Sequence, residues 1–152
     1  MPARPLPLYI FDLDGTLALT EHRQHILDGN SPAKWRDFFA ACVDDEPNHP
    51  VIHTLRALIG RAEIWIWSGR SDEVRHQTEG WLDFHVMPNA PIPRMRAAGD
   101  FTPDEQLKKR WLDEMADDDR KRLVAVFDDR AKVVAMWRAA GVPCFQVAPG
   151  EF

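Results

Sequence analysis

Four short apolar runs, Leu8–Phe11, Ile64–Trp67, Leu123–Phe127 and Cys144–Val147, punctuate the 152-residue chain. The stretches between them are too long for hairpins and carry helical periodicity. Such alternation fits a parallel sheet joined by crossover helices. Helices are expected over Val51–Leu58, with Gly60 as its stop, and after Ser71 to about Phe84, with Asp72 and Glu73 in the first turn. Two more are expected from Pro103 to about Met115 and from Arg130 to Ala140, where Val133, Val134, Met136, Trp137 and Ala140 form one stripe ended by Gly141. Trp137 is expected in the core. Met87–Pro93 holds three prolines, which remove ladder donors, and reads as a loop or irregular edge.

The first run leads into Asp12-Leu13-Asp14-Gly15-Thr16-Leu17. Two carboxylates thus leave the carboxyl end of a strand, where open α/β sheets place their ligands, and Gly15 allows the chain to bend there. One carboxylate could attack and hold a metal while the other moves protons. A loop of solvated aspartates is the plain alternative for an isolated Asp-x-Asp. The second run ends in Trp67-Ser68-Gly69-Arg70, a hydroxyl and a glycine before a helix, able to bind a phosphoryl oxygen. The third ends in Asp128-Asp129, adjacent carboxylates that repel unless a cation lies beside them. Oxygen ligands from Asp12, Asp128 and the backbone carbonyl of Asp14 suit Mg²⁺.

These motifs, in this order, resemble those of the haloacid dehalogenase (HAD) superfamily of phosphotransferases. The resemblance implies a Rossmann-like three-layer α/β/α fold with a central, mainly parallel sheet. It implies Asp12 as nucleophile, Asp14 as general acid and base, Asp12, Asp14 and Asp128 at Mg²⁺, and Asp129 behind them orienting the metal's water shell or the lysine. Ser68 and Gly69 become phosphate ligands. The family also requires a lysine between the second and fourth motifs; no lysine separates Ser68 from Lys108, and Lys108 is chosen over Lys109 by its spacing from Gly99-Asp100.

A narrower resemblance covers Met95-Arg96-Ala97-Ala98-Gly99-Asp100 and the stretch from Phe127 through Trp137-Arg138 to Gly150-Glu151-Phe152. Both look like the 3′-phosphatase half of phage polynucleotide kinases. No Gly-x-x-x-x-Gly-Lys-Ser/Thr loop occurs in the chain, so no ATP site is implied. The reaction this implies is removal of a 3′-phosphate from a nucleic-acid end or nucleotide. Arg70, Arg94 and Arg96 could contact the substrate or could be ordinary surface charges. Alternatives are a 5′-nucleotidase or deoxynucleoside monophosphatase, and, in a different class, a non-catalytic HAD-like binding module.

Length fits a single domain spanning 1–152, with 19–48 as a small helical insertion rather than a large cap. In that insertion Trp35, Phe38 and Phe39 lie on a helix expected from Ser31-Pro32 to about Val43, packing down as core or covering the site. His22, Arg23 and His25 face either the site or solvent. The formal net charge of −5 argues against a general electrostatic grip on nucleic acid, though a phosphorylated end needs only a local basic patch. No apolar run is long enough to span a membrane, Met1–Pro5 is too short and proline-rich for a signal peptide, and Cys42 and Cys144 form no framework. The expected compartment is therefore the cytoplasm, with no obligate protein partner.

Overall fold

The computed structural model describes residues 2–151; Met1 and Phe152, the two ends of the expected domain and the last residue of the C-terminal motif, lie outside the described residues. Five strands form one parallel sheet: β1 (Leu8–Phe11), β4 (Glu63–Ser71), β5 (Arg94–Arg96), β6 (Leu123–Asp128) and β7 (Cys144–Gln146), in the order β5-β4-β1-β6-β7. All four apolar runs become strands. The fifth, β5, has only three residues and follows the proline-rich loop, so no apolar run announced it.

Helices cover both faces. On one side α3 (His49–Leu58) and α4 (Arg75–His85) pack Ile52, Leu55, Trp81 and Leu82 against Phe11, Ile64 and Ile66. On the other, α5 (Asp104–Asp113) and α7 (Ala131–Ala139) pack Leu107, Trp111, Val133 and Trp137 against Ile10, Trp67 and Val126. β4 shows the alternation directly, with Ile64 and Ile66 facing the first core and Trp65 and Trp67 the second. A strand segment buried on both faces must be apolar throughout, as Leu8–Phe11 and Ile64–Trp67 are. Trp137 is wholly buried.

The helix ends follow their sequence signals. Gly60 and Gly141 adopt φ of 81° and 79° just beyond α3 and α7. Ser71 caps the turn before α4, its hydroxyl accepting the Glu73 N–H at 3.3 Å. Between α5 and β6 lies a helix the sequence pattern did not announce, α6 (Asp117–Arg122), with three aspartates in its first turn and three cations in its last, complementing its dipole.

The insertion after β1 contains α1 (Glu21–Gln24) and α2 (Lys34–Ala40), each followed by a short 3₁₀ turn, and is pinned at its base by antiparallel β2 (Ala18–Leu19) and β3 (Glu46–Pro47). Its aromatics divide: Phe38 is buried whereas Trp35 is 47% exposed. Among the described residues no helix is long and apolar enough to cross a membrane.

Candidate active site

β1 lies between β4 and β6, with Phe11 level with both Ile66 and Phe127. The next residue, Asp12, therefore stands at the sheet's carboxyl edge beside Asp128, and its N–H bonds the Phe127 carbonyl at 2.9 Å. Beyond it the chain turns sharply. The N–H groups of Thr16, Leu17 and Ala18 all reach the Leu13 carbonyl, while Gly15, at φ 83°, bonds its N–H to the Ala18 carbonyl. A Cβ at Gly15 would overlap the Asp129 carboxylate, so this position requires glycine on two grounds.

Asp12, Asp128 and Asp129 are buried, and one carboxylate oxygen from each lies within 4.8 Å of the others. Lys108, itself buried, sits among them. Its Nζ is 2.7 Å from Asp12, 2.9 Å from Asp128 and 3.4 Å from Asp104, one helical turn earlier on α5. Lys109 points outward to Asp113, which separates the two neighbouring lysines. Thr16 Oγ1 donates to Asp12 at 3.2 Å and approaches Asp129 at 3.5 Å.

One ammonium does not balance this charge. Burial, then the neighbouring Asp128, pushes the Asp12 carboxyl well above the ordinary carboxylate range. The same causes raise Asp129 to about 6. Burial alone would lower Lys108, but Asp104, Asp12 and Asp128 outweigh it and hold the ammonium charged. Converging carboxylate oxygens with unrelieved negative charge fit a hard divalent cation, and Asp12, Asp128 and Asp129 are the residues whose side chains could hold one.

Asp14 is turned elsewhere. Its carboxylate accepts from Arg23 at 2.8 Å and from Arg70, so the side chain stands among guanidiniums instead of in the acidic cluster. Burial opposes its ionisation, yet Arg70 and then Arg23 prevail and hold it below the usual carboxylate range. Both arginines also bind Asp45, at 2.8 Å from Arg23 and 3.1 Å from Arg70. His22 reaches the same carboxylate at 2.7 Å. The Asp45 backbone is tied down in turn by Trp81, whose indole N–H donates to its carbonyl at 2.9 Å. Arg23 further stacks 4.2 Å over the Phe38 ring.

The remaining expected residues are placed as follows. Ser68 is fully buried within β4, which runs on to Ser71 past the strand end expected near Trp67, and its Oγ accepts the Arg70 N–H at 3.1 Å. Gly69 is backed by Asp104 so closely that a Cβ would collide with its carboxylate. Arg70 is 1% exposed, which corrects its alternative reading as a surface charge: it is a buried partner of Asp14. Arg94 pairs with Glu114 at 3.0 Å. Arg96 is a staple, donating to the carbonyls of Gly69, Asp100 and Thr102 at 2.7, 3.1 and 2.6 Å.

Thr16, Asp45 and Asp104 join the site with no sequence signal read for them, while Arg23, one of three residues placed toward either the site or solvent, faces Asp14. Asp104 was detectable from its i, i+4 spacing to Lys108. Nothing in the acidic run Asp44-Asp45-Glu46 distinguishes Asp45, because its partners lie 22 and 25 residues away.

A parallel α/β sheet with this acidic centre at its carboxyl edge defines a phosphatase of the HAD type. Residues 7–152 match the family model of the polynucleotide kinase PNKP phosphatase domain, and the chain belongs to that family. It is 30% identical over 134 residues to a protein of Autographa californica nuclear polyhedrosis virus named as a bifunctional polynucleotide kinase/RNA ligase, covering 87% of this chain and 18% of that protein. Among solved structures it is similar to a chain of a Pnkp1/Rnl/Hen1 complex, with 32% identity and a TM-score of 0.73 over 97% of this chain and 48% of the other. The chain thus spans less than half the length of these relatives. The class C acid phosphatase of Bacillus anthracis, at 17% identity and TM-score 0.66 over 99% of this chain and 69% of that one, shares the fold.

Proposed function

We propose that this chain is a Mg²⁺-dependent phosphomonoesterase working through an aspartyl-phosphate, and that it removes 3′-phosphates from nucleic-acid ends. The observation that carries the chemistry is Asp12, a buried carboxylate at a strand end with Lys108 at 2.7 Å and Thr16 at 3.2 Å. In the first step an Asp12 oxygen bonds to phosphorus as the P–O bond to the substrate's alkoxide breaks, and Asp14 supplies the proton the alkoxide takes. In the second, Asp14 accepts a proton from the water that attacks phosphorus, releasing inorganic phosphate and restoring Asp12.

The two carboxylates divide these roles by environment. Arg23 and Arg70 keep Asp14 ionised in the free protein, as a base requires; a phosphate dianion bound nearby offsets those cations and favours the protonated acid. Lys108, Ser68 and Gly69 would hold the equatorial oxygens. Asp12, Asp128 and Asp129 would hold Mg²⁺, with the Asp14 carbonyl as the backbone ligand expected from the sequence; when bound, the ion supplies positive charge for the phosphoryl oxygens and for keeping Asp12 ionised.

The substrate reading draws on family membership and on relatives that belong to an RNA repair complex. By the same likeness to a chain of a Pnkp1/Rnl/Hen1 complex, this chain would act beside protein partners rather than alone. A second reading, hydrolysis of free nucleoside monophosphates, draws on the net charge of −5. Phosphate release with and without Mg²⁺, from a 3′-phosphorylated oligonucleotide beside 5′-mononucleotides, separates the two. Preference for the oligonucleotide is the expected result; preference for mononucleotides refutes the end-processing reading. Absence of release from either substrate refutes catalysis and supports a binding module.

A further inference from the structure

The loop before α5 holds an aromatic ring in solvent at the edge of the site. Phe101 is 81% exposed, yet the residues on either side of it are tightly fixed. The Asp100 carboxylate accepts the Thr102 N–H at 2.9 Å, the Thr102 hydroxyl at 2.6 Å and Arg110 at 2.7 Å. Arg96 clasps the carbonyls of both Asp100 and Thr102, and the same guanidinium donates to the Gly69 carbonyl. The Ala98 N–H is held by Asp72 at 3.0 Å. The backbone on both sides of Phe101 is thus joined through one guanidinium to Gly69 of β4, and Phe101 lies three residues before Asp104, which contacts Lys108.

A large apolar side chain left in water gains nothing from burial, and a mobile loop could fold it away. Here the backbone is fixed so that the ring stays presented. Phe84 is equally exposed, at 82%, but stands near the carboxyl end of α4, which runs back toward the amino ends of the strands, away from the site.

From this geometry, and resting on the nucleic-acid 3′-phosphatase reading above, we infer that Phe101 is a stacking platform for the base of the 3′-terminal nucleotide. A phosphate held at Ser68 and Gly69 has its sugar and base one residue's reach away. A π-face would bind any base without reading its edge, giving affinity for nucleotide ends without sequence preference.

Binding tests the inference apart from catalysis. Fluorescence anisotropy in EDTA would compare two 3′-phosphorylated oligonucleotides, one ending in a normal residue and one in an abasic residue. The wild type is expected to favour the base-bearing strand about tenfold; Phe101→Ala should erase that preference, and Phe101→Trp should restore it. Equal affinity of the wild type for both strands, or a preference surviving in Phe101→Ala, overturns the inference. Mg²⁺-dependent hydrolysis of glycerol 2-phosphate, which has no ring to stack, should be equal in wild type and Phe101→Ala; a matching loss there would mark a structural role and also overturn it. Absence of turnover of every substrate by the wild type refutes the phosphatase reading, and the stacking inference is then decided by the anisotropy alone.

Discussion

Asp45→Ala removes one of two carboxylates that face two buried guanidiniums. In the wild type the charges balance: Asp14 and Asp45 against Arg23 and Arg70, with Arg23 and Arg70 at 0% and 1% exposure. The variant leaves a net positive charge in a space water scarcely reaches. Removing one partner of a buried ion pair costs about 3–5 kcal/mol. For a chain of this size that is a fall in Tm of roughly 6–20 °C, at about 2–4 °C per kcal/mol. The insertion loses its anchor as well, because Arg23 and Asp45 both belong to it and Arg70 belongs to β4. Asp45→Asn keeps an oxygen for one arginine, so a smaller fall is expected. At temperatures where both variants remain folded, displacement of Arg23 and Arg70 misplaces Asp14, and turnover should drop about 10²-fold. Thermal unfolding by circular dichroism and steady-state phosphate release provide the two readouts. A Tm for Asp45→Ala within about 2 °C of wild type, together with unchanged kcat, would refute the idea that this network fixes Asp14.

The neighbouring lysines should separate cleanly: Lys108→Met is expected to lower kcat about 10³-fold, whereas Lys109→Met, which loses only an exposed pair with Asp113, should stay within about threefold in a phosphate-release assay. Mg²⁺ should raise Tm in a concentration-dependent way by relieving the acidic cluster, and Asp129→Asn should blunt that rise in a calorimetric titration; a Tm indifferent to Mg²⁺ would contradict a cation site at Asp12, Asp128 and Asp129. Gly15→Ala should cost about 1–3 kcal/mol from its positive φ and displace Asp129, so a denaturant midpoint and activity equal to wild type would count against the tight turn. The Asp100 carboxyl is held below its usual range by hydrogen bonds from Thr102 and Arg110. Its stabilising contribution is therefore full above its unfolded pKa of about 4 and is lost as pH falls through the lower folded value. Asp100→Asn should flatten that part of the stability profile between about pH 4 and 2, measured by thermal unfolding across pH; an unaltered profile would show that those bonds do not stabilise the loop.

How much of this was legible without coordinates follows from the range of the forces involved. The four apolar strands, the two carboxylates after β1 and the glycine that follows them are local patterns. Burial on both faces demands continuous apolar runs, and a sharp turn demands a residue free of Cβ, so the sequence states both outright. The order Asp-x-Asp, Ser-Gly, Lys, Asp-Asp is likewise local, with these groups carried on or just past β1, β4 and β6 and one helical turn inside α5. β5 escaped notice because three residues carry no period.

What the chain could not state alone is which charges meet. Lys108 and Lys109 are adjacent in sequence and opposite in fate, because α5 turns one toward Asp12 and the other to solvent. Arg70 could be read as a surface charge until the fold buried it against Asp14 and Asp45. The pairing of Asp14 with two arginines arises from segments at residues 14, 23, 45 and 70, whose approach depends on the sheet order and on the insertion folding back over it. Residue types and local periods are written in the sequence. The sign and strength of the field at each carboxylate depend on distances across the fold, and only the tertiary structure sets those.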